Sequence, residues 1–357
     1  MSKATYLLGA GASYGTRGKL PLYMQPFVST DERKPEEGIL RGLPILQEFP
    51  SAIEQLEYHL NIDKDTIFEK KYIYQNALSH LLNVSRAYPT IDTYAKLLYT
   101  TKQNDEYIKF KHQLSLFFLI WQNIYKQDLR YDSFISSLID AETCQMPDLT
   151  VLSWNYDSQM EMAYQGYILN NPSLRKIWDV LNVYCKTHSH SYFESTKPFA
   201  FIKLNGTATF HSTEVNQWTL RHDIKDDFMF QTNEKLFWES IYELYDKLNS
   251  NPIKYRNELS YAWEHDGENE LLQTILKRVE DTEVLVVIGY SFPYVNRRID
   301  RYIFNSMKSL KKIHIQDTNA NAIKDRITAI FEFLQKPLPE IHTHEDIGQF
   351  IIPNELG

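Results

Sequence analysis

Apolar residues fall along this chain in two textures. Short runs that are apolar at nearly every position and end in glycine or polar residues read as strands buried on both faces of a parallel sheet. Ala4-Thr5-Tyr6-Leu7-Leu8 is the first, breaking at once into glycines, and Leu149-Thr150-Val151-Leu152-Ser153-Trp154 follows Pro147. Phe199-Ala200-Phe201-Ile202-Lys203-Leu204 is a third, and Val284-Leu285-Val286-Val287-Ile288, β-branched and stopped by Gly289, a fourth. Ile313-His314-Ile315-Gln316-Asp317 is a further candidate, placed before a helical pattern over 320–334. The second texture covers residues 43–139, where apolar positions such as Leu78, Leu81 and Leu82 recur at three and four residues, predicting helices. Residues 17–41 mix Pro, Gly and charge without a period and read as a solvated excursion.

These patterns predict an α/β fold: a Rossmann-like, mostly parallel sheet with helices on both faces, plus an inserted helical module. The boundaries expected are 1–42 and 143–340 for a discontinuous Rossmann domain, 43–142 for the insertion and 341–357 for a C-terminal tail. A length of 357 residues suits one core with a large insertion, and 43% hydrophobic with 24% charged residues is globular usage. The net charge of −8 argues against a broad nucleic-acid or anionic-membrane surface, though it leaves room for a local basic patch; no direct nucleic-acid contact is expected. Only Cys144 and Cys185 occur, too few for a four-cysteine zinc site, so two buried reduced thiols are expected. Neither a leader pattern nor a run of about 18 apolar residues is present, which points to a cytoplasmic, soluble protein.

Chemistry gathers where strands end. Gly9-Ala10-Gly11-Ala12-Ser13 suits either a phosphate cradle or a plain tight strand-to-helix turn. It resembles a dinucleotide fingerprint, with Tyr14 at the third glycine position and Gly15 one residue late. Asp31 and Glu32 have the spacing of a ribose-binding acid but follow no strand, so they read as loop carboxylates; Asp317, ending the last strand, is better placed for an adenosine ribose, with Asn319 beside it. Ser153-Trp154-Asn155-Tyr156-Asp157 sits at a strand's carboxyl end, where Asn155 either holds a water or ribose hydroxyl without adding charge or serves as a turn or cap residue. Gly289-Tyr290-Ser291-Phe292-Pro293 is a ligand loop or turn chemistry. Arg297 and Arg301, one helical turn apart, flank an anion, pair with Asp300, or simply form a solvated face.

In this order, GAGAS at 9–13, WNYD at 154–157, KLNG at 203–206 and GYSF at 289–292 resemble the sirtuin family. The closer resemblance is to the bacterial sirtuin-like NAD-binding and NAD-hydrolysing proteins of phage defence. Thr90-Ile91-Asp92-Thr93-Tyr94 is similar to a helix start of that group, and is equally an ordinary helix N-terminus. The resemblance implies that Gly9, Ala10, Gly11, Ala12 and Ser13 contact dinucleotide phosphates and that Asn155 sits beside the nicotinamide ribose and positions water. It further implies that Asp157 supports the nicotinamide side, that Gly289 and Ser291 flank the adenosine half, and that Asn205 lines the site. The family's catalytic His, before Gly in the third motif, is Asn205 here, and an amide cannot act as base at neutral pH. His211, six residues on, is the replacement considered; His188 and His190 lie in a polar stretch with no convincing third ligand, so no metal is expected.

With no zinc module possible, protein deacylation is disfavoured. The expectation is an NAD glycohydrolase that releases nicotinamide and ADP-ribose in antiviral defence, within a homo-oligomer or beside a helicase-like ATPase or another defence protein. The alternatives are an inactive NAD or ADP-ribose sensor, favoured by Asn205, and an assembly scaffold.

Overall fold

The computed structural model describes residues 3–14, 43–44, 48–62, 71–124, 128–167, 174–185, 196–212, 217–219, 255–264 and 270–356, with isolated positions between 241 and 250. The excursion over 17–41, including Asp31 and Glu32, and the pair His188 and His190 lie outside them. The chain divides into two compact units: residues 1–13, 128–207 and 260–357 form the first, residues 14–127 and 208–259 the second.

The first unit is built on a seven-stranded sheet. Its strands are β1 (Ala4–Leu8), β2 (Leu149–Ser153), β3 (Val183–Cys185), β4 (Ala200–Lys203), β8 (Val284–Ile288), β9 (Lys312–Gln316) and β10 (Glu340–His344). The spatial order is β10-β9-β8-β1-β2-β4-β3, and every pairing is parallel. All five residues of β1, β2 and β8 are buried, which is why their sequences are apolar on both faces instead of alternating. Successive side chains of β1 leave on opposite sides: Tyr6 meets Phe134 of α5 (Leu129–Leu138) edge-on at 5.0 Å. Leu7 instead joins a cluster with Ile275, Ile303 and Ile327. These come from α8 (Glu270–Val279), α9 (Arg297–Ser306) and α10 (Ala320–Leu334). Helices therefore cover both faces of the sheet, a Rossmann-like α/β fold. Short helices α6 (Gln159–Gln165) and α7 (Leu174–Val180) connect β2 to β3.

The second unit contains α1 (Phe49–Ile62), α2 (Lys71–Ala87), α3 (Ile91–Thr100) and α4 (Asn104–Ile124), with a three-stranded sheet ordered β6-β5-β7. Those strands are Gln217–Thr219, Gly206–Ser212 and Tyr255–Leu259 respectively. Phe117 of α4 packs on Phe49 at 4.5 Å and stacks on Trp121 at 5.5 Å. Thr90 accepts the Thr93 amide at 3.1 Å, so the Thr-Ile-Asp-Thr segment is an N-cap and first turn of α3.

These units differ from the boundaries expected. Helix α5 belongs with the sheet, because Tyr131 and Phe134 pack on Phe350. Residues 208–259 belong with the helices. The expected tail begins inside β10, whose mixed polar sequence hid an edge strand, and continues along the sheet: Gln316 donates to the Asp346 carbonyl at 2.6 Å and accepts the Ile351 amide at 3.0 Å. Cys185 is buried but Cys144 is exposed, so the expectation of two buried thiols holds for one of them. No described helix is long and apolar enough to cross a membrane.

Candidate functional site

Strands β2, β1 and β8 end level, with Leu8 registered against Ser153 on one side and Ile288 on the other. The turns that follow them therefore start side by side. Chain order and spatial order diverge at β1, which lies between β2 and β8, and the carboxyl edge at such a switch point is where open α/β sheets bind ligands.

Two of these turns touch backbone to backbone. Gly9 N–H donates to Ile288 O at 3.0 Å, Gly11 N–H to Gly289 O at 3.0 Å, and Ala12 N–H to Gly9 O at 2.9 Å. A Cβ on Gly9 would stand 2.5 Å from Gly289 O, and one on Gly11 would stand 2.7 Å from Gly289 Cα. Gly289 itself has φ +58°, and a Cβ there would meet Ala12 N at 2.4 Å. The glycines are thus required by mutual packing, and three of the turn's amides have acceptors within the protein. Phe292, in the same β8 turn, holds a left-handed φ of +52° while its ring packs on Tyr290 at 4.6 Å and Phe304 at 5.8 Å. Such a conformation in a bulky residue costs on the order of 1–3 kcal/mol and persists only under firm packing.

Asn155 is buried against the glycine turn. Its Nδ2 donates to Gly9 O at 2.9 Å and to Ser13 Oγ at 3.0 Å, and its backbone N–H donates to Ser153 Oγ at 3.1 Å. Both amide hydrogens are engaged, while Oδ1 accepts no hydrogen bond from the described residues. Ser13 Oγ also lies 2.9 Å from the Tyr131 hydroxyl. Burial, and then the charge of Asp157, raise the Tyr131 phenol well above its ordinary value. Asp157 is itself buried and accepts the Gln159 amide at 3.0 Å. Burial holds its carboxyl above the usual range, opposed by Lys203 and by hydrogen bonds from Gln159 and Ser13.

Two ion pairs brace this cluster. Asp128 caps α5 by accepting the Arg130 amide at 3.0 Å and binds the Arg130 guanidinium through both oxygens. Arg130 also donates to Gly11 O and Ala12 O, each at 3.2 Å, and to Ile347 O at 3.1 Å, gripping the glycine turn from its carbonyl side. Lys203 Nζ meets Glu161 Oε1 at 2.7 Å and Asp157 O at 2.6 Å, with both side chains fully buried. Asn205 Nδ2 donates to Trp154 O at 3.1 Å, so this amide fixes the backbone that carries Asn155. Trp154 stacks on Tyr290 at 5.6 Å, and the Tyr290 hydroxyl donates to the buried Asp300 carboxylate at 3.0 Å.

The turns accordingly bring Gly9, Ala10, Gly11, Ala12, Ser13, Asn155, Asp157, Asn205 and Gly289 to one edge. Ser291 is exposed, with its carbonyl accepting from Arg326. Asp317 follows β9, and its carboxylate accepts the Asn319 amide at 2.8 Å in an Asx turn ahead of α10, a local role. His211 lies on β5 opposite Trp218, in the second unit by the division above, and its side chain is outside the described ones. Sequence reasoning missed Asp128, Arg130, Tyr131, Glu161 and the role of Lys203. For Asp128 the signal was an N-cap acid two residues before an arginine at a helix start. Among the described residues no group of three or more His, Cys, Asp or Glu is placed to hold a metal ion.

Fold and site define a Rossmann-like α/β protein whose switch-point turns close on a buried asparagine. No family model matches the chain, and no curated protein matches it. Among solved structures, that of Sir2Tm bound to a propionylated peptide is similar over 94% of this chain and 94% of that one, at 10% identity and a TM-score of 0.27. The fold assignment rests on the parallel sheet itself.

Proposed function

We propose that this chain binds NAD, or a closely related dinucleotide, at the carboxyl edge of β1, β2 and β8 and hydrolyses its bond to nicotinamide. The observation that carries the reading is the orientation of Asn155. With Nδ2 tied to Gly9 and Ser13, the carboxamide presents its oxygen as the open end, an acceptor suited to a ribose hydroxyl or an attacking water. A fixed carbonyl dipole also stabilises the positive charge that develops on the ribose as the glycosidic bond breaks. The bonding pair departs with the nicotinamide nitrogen, water adds to the anomeric carbon, and a water proton leaves to solvent. Asp157, beside Ser13, supports the same charge. The reading needs no base at position 205, where the amide holds Trp154, and it places no step on His211.

The resemblance to phage-defence effectors extends the proposal to activation in an oligomer or by a separate defence protein. A sensor that binds NAD or ADP-ribose without turnover is the second reading, favoured by Asn205 having no proton-accepting nitrogen.

The test is nicotinamide release from NAD by the full chain, beside Asn155→Ala shown by circular dichroism to be folded. Removing one preorganised group of this kind costs about a hundred- to thousand-fold in rate. Binding by calorimetry without release would shift the reading to the sensor; absence of both would end it.

A further inference from the structure

Helix α9 carries three arginines and one aspartate, in a protein whose net charge is −8. The aspartate, Asp300, is buried and takes the Tyr290 hydroxyl, so the solvent face of the helix keeps its positive charges without an opposing acid of its own. Arg297 acts on the Asp300 charge without forming an ion pair with it, so of the arrangements the sequence allowed, pairing with Asp300 is not the one adopted. Among the described residues, Arg297, Arg298 and Arg301 make no ion pair, and each instead lies over an aromatic ring. Arg297 stands 3.9 Å from the Tyr294 centroid, Arg301 3.4 Å from that of Phe333, and Arg298 5.8 Å from that of Tyr302. The rings are open to solvent as well: Tyr294 is 80% exposed, Phe333 60% and Tyr302 37%.

Leaving three guanidinium groups and three large rings on one face has two physical consequences. The charges lack anions, and the rings keep exposed apolar surface beyond the arginine that lies over each. An acidic peptide would satisfy the first and leave the second, while a duplex offers phosphates but keeps its base faces stacked internally. A single strand offers both, since phosphates pair with arginine in bidentate fashion and unstacked bases lie on aromatic rings or guanidinium planes. We propose that the α9 face, Tyr294, Arg297, Arg298, Arg301, Tyr302 and Phe333, is a binding surface for single-stranded nucleic acid. It is the local exception to an acidic molecule, and it stands apart from the dinucleotide reading.

The experiment is fluorescence anisotropy of the full chain with labelled oligo-dT of about sixteen nucleotides, the upper end of a single-strand site, between about 50 and 200 mM salt. Poly-glutamate and a duplex of equal length serve as competitors, and no NAD is present. Saturable binding is expected, with oligo-dT preferred over both competitors. Combining Arg297→Ala, Arg298→Ala and Arg301→Ala should lower the slope of log K against log salt by about 2, at about 0.7 per phosphate contact. Tyr294→Ala should weaken binding about five-fold or more through lost stacking. Melting curves of the variants establish that they fold, Tyr294 and Arg298 being exposed and Arg297 and Arg301 half-buried. No binding, competition by poly-glutamate as strong as by single strand, or an unchanged salt slope in the folded triple variant would each overturn the proposal.

Discussion

The buried pair Lys203–Glu161 offers a quantitative test of how the site is held. Its charges lie 2.7 Å apart with no solvent exposure, and the same ammonium donates to the Asp157 carbonyl at 2.6 Å. At that separation the attraction is about 6 kcal/mol for an effective dielectric of about 20. Stripping water from the two ions costs several kcal/mol each, so the intact pair contributes little net stability while either ion alone is costly. Glu161 Oε2 makes no hydrogen bond among the described residues, and Glu161→Leu leaves a buried ammonium with the Asp157 carbonyl but no counter-ion. Lys203→Met leaves a buried carboxylate. Each single change should cost about 3–5 kcal/mol. Lys203→Met with Glu161→Leu removes both charges and leaves mainly the Asp157 carbonyl without its donor, about 1–3 kcal/mol. The double variant is therefore more stable than either single one. Urea unfolding followed by tryptophan fluorescence measures all three, with Trp154 and Trp178 buried in the same unit. If the double variant loses the sum of the single losses, the two residues act through independent packing and the electrostatic account is wrong.

Gly11→Ala should destabilise by about 1–3 kcal/mol, because its Cβ meets backbone that cannot yield; Gly166→Ala, whose Cβ would meet only Ala163 O at 3.4 Å, should change stability little, and thermal melts compare them. Asp300, raised well above 3.8 chiefly by burial, binds its proton more tightly folded than unfolded, so its contribution to stability falls as pH rises from near 3.8 through the raised value. Asp300→Asn should exceed the wild type at neutral pH by a margin that shrinks on acidification, and urea midpoints across pH that show a constant margin would contradict this. His314 is lowered from 6.5 to about 4 by burial and then by His342 and His344, and its Nδ1 lies 3.1 Å from His344 Nε2, a contact that survives only while one nitrogen lacks its proton. Folding must exclude a proton, so stability complete above 6.5 is lost as pH falls toward about 4; His314→Phe should flatten that loss in melting temperature, and an unchanged slope would refute it.

The sheet was legible because burial on two faces leaves a mark on every residue of a strand: β1, β2, β4 and β8 all appear as apolar runs. β10 was not, since Glu340-Ile341-His342-Thr343-His344 sits on an edge, half in solvent, where polar residues cost little. Helix α5 showed the same periodicity as the helices of the second unit, and nothing local says that its Tyr131 reaches Ser13, 118 positions away. Asn155 and Asp157 could be placed from their position after a buried strand. Arg130 could not, because the groups it holds are backbone carbonyls, which carry no sequence signature.

A glycine turn after a first strand answers to two demands that sequence cannot separate, since closeness to a phosphate and closeness to another backbone both exclude a Cβ. Here the second demand accounts for Gly9, Gly11 and Gly289, and the amides of Gly9, Gly11 and Ala12 already have protein acceptors. Ligand recognition in the proposed site therefore falls less on a row of open amides than on side chains that the turn orients, Asn155 foremost. The two demands separate experimentally. If the turn is chiefly a platform, Gly11→Ala lowers stability and dinucleotide binding together, whereas Asn155→Ala lowers turnover by far more than it lowers the melting temperature. Loss of binding in Gly11→Ala at unchanged stability would instead mean that the glycine backbone itself meets the ligand, and the weight placed on Asn155 would have to move to the turn.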